Sequence, residues 1–219
     1  MNKPAYADPI QAEYAQLAKR YDRRWAFYVE TTLEETLKRL ALNGEEHVLD
    51  LGCGTGTLLH VLGHRLPSIR LTGLDSSAEM LQVARQKLPA TVALHLGSAD
   101  SLPLPNGAVD VVVSTSAFHY FRDPHQALRE MGRVLKPGGR IVITDWCHDY
   151  WTCQICDLIL QRFNPAHFRA YRVAECEVML QKAGLQNITI DRYKINWLWG
   201  MMTAVATAPV AVSARTRGG

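Results

Sequence analysis

The sequence predicts an α/β fold in which a doubly wound, mostly parallel β-sheet carries helices on both faces. From residue 44 onward, short runs of β-branched and aliphatic residues alternate with amphipathic segments of helical period. Several of these runs, such as Val109 to Val113, are apolar almost throughout, which is typical of strands covered on both faces. At 219 residues, with 47% hydrophobic and 21% charged residues, the chain has the composition of a folded globular domain and not of a disordered, collagen-like or coiled-coil protein.

Two amphipathic helices are predicted before the first strand. The first covers residues 9–25, where apolar side chains recur every three or four positions between basic ones, and the second covers residues 31–42. Asn43 and Gly44 provide a stop signal after the second helix. Together the two helices predict an N-terminal helical cap, or lid, over residues 1–43.

The alternation that follows predicts about seven strands, the last of them antiparallel. Strands are expected at residues 48–51, 70–75, 92–96, 109–114 and 140–145, and helices at 57–66, 77–88 and 123–135. A capping box is predicted at Ser76 to Glu79, and Asp123 followed by Pro124 predicts the start of a helix. A turn is predicted at Lys136 to Gly139. Further along, helices are predicted at residues 151–163 and 173–183, and a strand is predicted at 188–195. The apolar stretch from Trp197 can pair with this strand as an antiparallel hairpin partner, which would close the sheet on one edge.

The predicted main domain covers residues 44–212, with 146–186 as an insertion on the substrate side and 213–219 as a flexible tail. A net charge of +3 favours a small-molecule partner over nucleic acid. The first ten residues lack the apolar core of a secretory signal, and the longest apolar stretch is shorter than the roughly 20 residues that span a bilayer. Five cysteines, an odd number, suit reduced thiols. We therefore expect a cytoplasmic protein without a membrane span.

A glycine-rich loop after the first strand carries the strongest functional signal. Asp50 precedes glycines at 52, 54 and 56, whereas a dinucleotide fingerprint would need a glycine at the position of Thr57. A carboxylate at Asp50 repels a pyrophosphate but suits a ligand with an ammonium group. Asp75 ends the next strand, where a carboxylate can accept from both hydroxyls of a ribose. An amino-acid-bearing nucleoside without phosphates fits both acids.

The sequence from Val48 to Asp145 resembles the class I S-adenosylmethionine-dependent methyltransferases, and within them the type 11 family that includes ubiquinone- and menaquinone-pathway enzymes. Five motifs match in order, at residues 48–56, 73–81, 97–105, 110–120 and 130–143. The resemblance implies a Rossmann-like fold, S-adenosylmethionine as cofactor and S-adenosylhomocysteine as product.

The same resemblance implies a set of cofactor-binding residues. Asp50 and the loop would line the methionine end, Asp75 would hold the ribose, and Asp100 would accept from the exocyclic amine of the adenine. Tyr21 is similar to a tyrosine that closes over the cofactor in many relatives. The complete set comprises Tyr21, Asp50, Gly52, Cys53, Gly54, Gly56, Asp75, Ser76, Met80, Ala99, Asp100 and Ser114.

Catalytic and substrate residues are expected after the fourth strand and beyond Trp146. His119 is a candidate general base, although a packed histidine without a role in proton transfer is an alternative. His119, Trp146, His148, Trp151 and Tyr171 are candidate substrate residues, because such side chains could line an apolar pocket as well as a core. Cys147, Cys153 and Cys156 do not form the two ligand pairs of a zinc site, so no metal is predicted.

These observations predict a methyltransferase that acts on a small, apolar or aromatic acceptor. The alternatives are a non-catalytic protein that binds S-adenosylmethionine, or a methyltransferase of metalloids or thiols that uses the cysteines as soft ligands. A nicotinamide-dependent dehydrogenase is disfavoured by Thr57 and Asp50. The acceptor and the oligomeric state are left open by the sequence.

Overall fold

A seven-stranded β-sheet forms the centre of the molecule in a computed structural model that describes residues 26–163 and 167–210. In chain order the strands are β1 (His47–Leu51), β2 (Arg70–Asp75), β3 (Ala93–Leu96), β4 (Val109–Thr115), β5 (Leu135–Trp146), β6 (Gln186–Lys194) and β7 (Gly200–Thr207). Their spatial order is β3-β2-β1-β4-β5-β7-β6. The first five strands are parallel, and β7 runs antiparallel to both β5 and β6. The predicted fold class is confirmed.

Six α-helices cover the two faces of this sheet within the described residues. They are α1 (Ala26–Leu40), α2 (Thr57–Arg65), α3 (Ala78–Lys87), α4 (Pro124–Val134), α5 (Trp151–Phe163) and α6 (Val173–Lys182), and a short 3₁₀ turn covers Phe118–Tyr120. One apolar cluster joins α1, α2 and α3 to the sheet, and a second joins α4 and α6 to the opposite face. Val111 and Val113 belong to the first cluster and Val112 to the second, which explains why β4 is apolar at successive positions.

The antiparallel hairpin of β6 and β7 closes one edge of the sheet, as predicted. The prediction did not give the order of the two strands, and in the structure β7 lies between β5 and β6, which leaves β6 at the edge. Burial explains the order, because β7 is buried at six of its eight positions while six of the nine β6 residues are exposed. A fully apolar strand gains more from a central position, and a polar strand tolerates an edge.

The helix ends and caps can be compared with three local predictions. The helix expected at 31–42 is α1, which already includes Ala26 and ends at Leu40. The cap of α3 is Ser77, whose hydroxyl accepts from the Met80 N–H at 3.1 Å, so the capping box assigned to Ser76 was wrong by one residue. The cap of α4 by Asp123 is confirmed. The helix predicted at 9–25 and the tail at 213–219 lie outside the described residues, and no helix among those described is long and apolar enough to cross a bilayer.

Candidate functional site: a cavity at the carboxyl end of the sheet

A cavity of about 400 Å³ opens at the carboxyl ends of the parallel strands. Its lining comes from the loop after β1, the end of β2, the segment after β3, the segment after β4, and α1. Ligands of open α/β sheets bind at this edge, where the loops of neighbouring strands diverge. The lining includes Tyr28, Asp50, Gly52, Cys53, Gly54, Asp75, Ser76, Met80, Ala99, Asp100, Ser116 and Tyr120.

The glycine loop forms one wall of the cavity, and each glycine has a different reason to lack a side chain. Gly52, Gly54 and Gly56 all have positive φ angles, of 79°, 53° and 76°. A Cβ at Gly52 would lie 2.4 Å from the Cβ of Ala117, so this glycine permits close contact with the segment after β4. A Cβ at Gly54 would meet no protein atom within 4 Å, on a residue that lines the cavity. Gly54 therefore leaves room for a ligand beside the backbone.

Gly56 has a structural role in this arrangement. It does not line the cavity, and a Cβ there would lie 2.7 Å from Cδ1 of Leu88. Gly56 precedes the first residue of α2 and lets that helix start against the end of α3. The resemblance had implied a place for Gly56 at the methionine end of the cofactor. The structure places it behind the loop.

Asp50 is a buried carboxyl group at the base of the cavity. Burial, reinforced by the charge of Asp75, raises the pKa of Asp50 to about 8. Among the described residues its carboxyl group has no hydrogen-bond partner. A buried carboxyl group without a partner is costly to ionise, and a cation from a ligand would remove that cost.

Asp75 is also buried, but its carboxylate is held by the backbone. One oxygen accepts from the Gly54 N–H at 2.7 Å and the other from the Ser77 N–H at 2.8 Å. Burial raises the pKa of Asp75, and these backbone hydrogen bonds oppose that rise. Each carboxylate oxygen can accept a second hydrogen bond. Asp75 can thus fix the glycine loop and accept from two ligand hydroxyls together.

The far end of the cavity contains an unpaired acceptor. Oδ1 of Asp100 is buried and has no hydrogen-bond partner among the described residues, and Ala99 and Met80 line the cavity beside it. A buried acceptor without a donor is uncommon and calls for a ligand group that donates. The exocyclic amine of an adenine has the required chemistry. The cavity therefore offers, in sequence, a carboxyl for a cation, a carboxylate for a diol and an acceptor for an amine.

A hydrogen-bonded chain that the sequence did not reveal forms the opposite wall. The indole N–H of Trp146 donates to the Tyr28 hydroxyl at 2.7 Å, and that hydroxyl pairs with Oγ of Ser116 at 2.7 Å. Ser116 has a φ of 54°, a conformation uncommon for a residue with a side chain and frequent at functional sites. The sequence could have pointed to Ser116, because it follows the end of a predicted strand by two residues. Nothing in the sequence pointed to Tyr28, because the helix that contains it was predicted to begin at residue 31.

His119 is held rigidly outside the cavity lining. Its Nδ1 lies 2.7 Å from Oδ1 of Asp145, and its backbone N–H donates to Oδ2 of the same carboxylate at 2.9 Å. The imidazole stacks on Trp146, with ring centroids 5.0 Å apart, and its other neighbour Tyr120 does line the cavity. His119 is therefore one layer behind the cavity wall.

The remaining predicted site residues are scattered. Ser114 is buried in β4 and does not reach the cavity, which is lined instead by the three residues after it. Tyr171 packs against Phe118, His148 lies 3.4 Å from Asp157, and Trp151 is exposed on α5. None of these side chains lines the cavity. Tyr21 lies outside the described residues.

The cysteines show no arrangement for metal binding. Among the described residues, no group of three His, Cys, Asp or Glu side chains is placed to hold a metal ion. Burial raises the pKa of the Cys147 thiol to about 12 and also raises the pKa values of Cys153 and Cys156. Protonated thiols are poor ligands for soft ions.

Comparison with known proteins agrees with the chemistry of the cavity. Residues 49–143 match the family model of the methyltransferase domain. This part of the chain is similar to the methyltransferase domains of that family. The methyl donor of that family is S-adenosylmethionine.

Three relatives illustrate the extent of the similarity. An uncharacterized methyltransferase of Mycobacterium tuberculosis is 47% identical over 125 residues, which are 56% of this chain and 50% of that protein. The demethylmenaquinone methyltransferase of Thermotoga maritima is 35% identical over 136 residues, which are 60% of this chain and 59% of that protein. A Haloferax volcanii methyltransferase, solved in complex with the Trm112 methyltransferase activator, superposes with a TM-score of 0.81 at 26% identity, over 94% of this chain and 100% of that one. The chain spans between 36% and 64% of the length of the first four curated relatives that it matches.

Proposed function

We propose that the protein transfers a methyl group from S-adenosylmethionine to a small apolar or aromatic acceptor. The observation that carries the proposal is a pair of acidic groups that have no hydrogen-bond partner among the described residues, the Asp50 carboxyl and Oδ1 of Asp100, on either side of the held carboxylate of Asp75. Their order suits the ammonium, ribose and adenine groups of this cofactor. A phosphate-bearing dinucleotide would place its negative charge among these acids, at a Coulombic cost.

The chain's own part in the reaction is alignment. Bound S-adenosylmethionine supplies an electrophilic methyl group on a sulfonium. Asp50 and the glycine loop would fix the methionine end, and Asp75 and Asp100 would fix the nucleoside. Holding the two reactants in line and excluding water can supply much of the rate enhancement of such a displacement.

The acceptor would enter from the side of α1 and the segment after β4. Val29, Leu33 and Phe121 line the cavity on this side, together with hydroxyl-bearing side chains that include Ser116 and Tyr120. An apolar wall with a few hydroxyl groups fits an aromatic ring that carries an oxygen or nitrogen nucleophile. The similarity to a demethylmenaquinone methyltransferase supports a quinol-like acceptor.

We propose His119 as the general base where the acceptor must lose a proton. Asp145 accepts the Nδ1 proton of the neutral imidazole, which leaves the lone pair at Nε2 to accept a proton. Among the described residues, Nε2 has no hydrogen-bond partner. The role requires the acceptor, or a water molecule, to reach Nε2 past Tyr120.

The proposal is tested by turnover with a methyl-labelled donor. Purified protein is incubated with labelled S-adenosylmethionine and a panel of hydroquinones, catechols and aromatic amines, and S-adenosylhomocysteine formation is measured for each. We expect turnover with at least one ring acceptor. Tight cofactor binding without turnover on the panel or on a metabolite extract would instead identify a non-catalytic binding protein. The raised thiol pKa values give no support to a metalloid or thiol methyltransferase.

A further inference from the structure

Helix α5 exposes a continuous row of large apolar side chains. Trp151, Ile155, Leu158, Ile159 and Phe163 are 65%, 51%, 70%, 51% and 78% exposed. Steps of three or four residues place them on one face, which we term the α5 stripe. The opposite face is anchored in the molecule, where Cys153 and Asp157 are buried. The stripe is thus the outer face of a helix that is already packed on its inner face.

The size of the stripe exceeds what an isolated exposed side chain would explain. Trp151 and Phe163 lie about 18 Å apart along the helix axis, at a rise of 1.5 Å per residue. The five side chains present roughly 600 Å² of apolar surface, judged from the 150–250 Å² that a large aromatic residue can bury. Exposed apolar patches of this size mark interaction sites. One such helix falls short of the about 800 Å² per partner that a stable protein interface buries.

The charges around the stripe are mostly positive, although the carboxylate of Asp149 lies 3.8 Å from Arg192 at the Trp151 end. The single acid within α5, Asp157, is buried and accepts from the His167 ring and the Ala170 N–H. Arg162 is exposed at the Phe163 end, with its guanidinium over that ring. At the Trp151 end, Arg192 and Lys194 of β6 are exposed and lie over the ring of Tyr150. Cations therefore flank the stripe at both ends.

The stripe lies at the same edge of the molecule as the cavity. Helix α5 begins five residues after the end of β5, where Trp146 contacts the cavity-lining Tyr28. Cys153 of α5 contacts Gly200, at the start of β7, through its sulfur. The turn before Gly200 carries Trp197, which is 77% exposed. Apolar exposure is thus concentrated on the acceptor side.

We infer that the α5 stripe docks on an anionic lipid surface. An amphipathic face with a tryptophan and a phenylalanine at its ends and leucine and isoleucine between them is suited to the boundary between headgroups and acyl chains. The flanking cations would meet anionic headgroups, and each basic residue near such a surface contributes attraction. Docking in this orientation presents the acceptor side of the cavity to the lipid. The inference concerns binding to a surface and does not depend on methyl transfer.

The experiment uses the full chain and vesicles of two compositions, phosphatidylcholine alone and phosphatidylcholine with phosphatidylglycerol. Binding is measured by flotation. We expect binding to the anionic vesicles that weakens in 0.5 M NaCl, a condition in which surface charges more than about 4–5 Å apart are screened. Leu158→Glu should reduce this binding more than about tenfold, because it removes an apolar contact and introduces a negative charge. Arg162→Glu should reduce it about five- to thirtyfold.

Val178→Glu provides the matched control. Val178 is an exposed apolar residue of another helix, α6, and its replacement should leave flotation unchanged. Far-UV circular dichroism and a cooperative thermal melt of every variant show that each is folded. The inference is overturned if the wild type binds neither kind of vesicle, or if Val178→Glu and Leu158→Glu reduce binding equally. Dimerisation that Leu158→Glu abolishes, without any flotation, would assign the stripe to a second copy of the chain and also overturn it.

Discussion

The cofactor side and the acceptor side of the cavity satisfy their polar groups in opposite ways. On the cofactor side, the Asp50 carboxyl and Oδ1 of Asp100 lack partners among the described residues. On the acceptor side, Ser116, Tyr28 and Trp146 bond to one another. The first surface offers unpaired groups to a ligand, whereas the second is satisfied by its own residues. This difference explains why we propose the cofactor contacts residue by residue and the acceptor only by class.

The largest expected effect is on the reaction rate, on the acceptor side. His119→Gln should lower the methylation rate about 10²–10⁴-fold while leaving the affinity for S-adenosylmethionine intact, because it removes a proton acceptor and no cofactor contact. Asp145→Asn should lower the rate through the same imidazole. Single-turnover kinetics and cofactor titration separate the two quantities. Rates within a few-fold of wild type in both folded variants would make His119 a packed residue.

The next effect is the loss of cofactor binding in Gly54→Val. The new side chain would point into the cavity from a residue with a φ of 53°. We expect affinity for S-adenosylmethionine to fall more than about 100-fold, with a smaller loss of stability from the left-handed backbone. Gly184→Val is the matched control, because Gly184 also has a positive φ and open space around it but does not line the cavity. Equal affinities of the two variants would show that the loop is only a turn.

Asp75→Ala should weaken cofactor binding by about one to two decades, since two charge-assisted hydrogen bonds to the ribose would be lost. Calorimetric titration of S-adenosylhomocysteine measures the change. Asp75→Asn, which keeps an acceptor oxygen for the backbone, should lose less. Unchanged affinity in folded Asp75→Ala would remove this carboxylate from the site and contradict the assignment of the cofactor side.

The smallest effect is expected at the adenine end. Asp100→Ala should weaken S-adenosylhomocysteine binding about five- to tenfold, the value of one ordinary hydrogen bond. The sharper readout is selectivity, because S-inosylhomocysteine replaces the amine with an oxygen. The wild type should prefer the adenine form, and Asp100→Ala should lose that preference. Equal binding of both ligands by the wild type would leave Oδ1 of Asp100 unexplained.

The meeting of Asp50, Gly54 and Asp75 in one cavity was predictable from sequence because it depends on local features. Asp50, the glycines and Asp75 lie at the ends of strands whose pattern is clear, and chain direction alone brings strand ends to one edge. Gly56 was misplaced because a glycine motif does not distinguish contact with a ligand from contact with a neighbouring helix. Here Leu88 at the end of α3 decides between them.

The acceptor side was less predictable because its contacts are distant in sequence. The hydrogen bond between Tyr28 and Trp146 joins residues 118 positions apart, and no spacing rule points to it. The aromatic residues expected to line a pocket divide between the core, as for Tyr171, and the surface, as for Trp151. A tryptophan on an amphipathic helix fits either place, and only the packed structure separates them.

The central claim is that Asp50 binds the ammonium group of the cofactor. The protonation state of Asp50 tests this claim directly. The pKa of Asp50 is raised from 3.8 to about 8 in the folded state, so the folded state binds the proton more tightly than the unfolded state. The free energy of unfolding therefore falls as the pH rises from about 4 to 8, because the unfolded state loses the Asp50 proton over this range more readily than the folded state. Asp50→Asn should accordingly raise the melting temperature of the ligand-free protein at pH 7.5 while weakening its affinity for the cofactor.

The decisive measurement is calorimetry of S-adenosylmethionine binding at pH 6.5 in buffers of different ionisation enthalpy. At this pH an α-amino group, with an ordinary pKa of about 7.7–8.0, is already protonated, so the ligand takes up almost no protons when it binds. We predict release of about one proton from the wild type, because the bound cation ionises Asp50, and none from Asp50→Asn. Equal proton release by the two proteins, with equal affinity, would contradict the assignment.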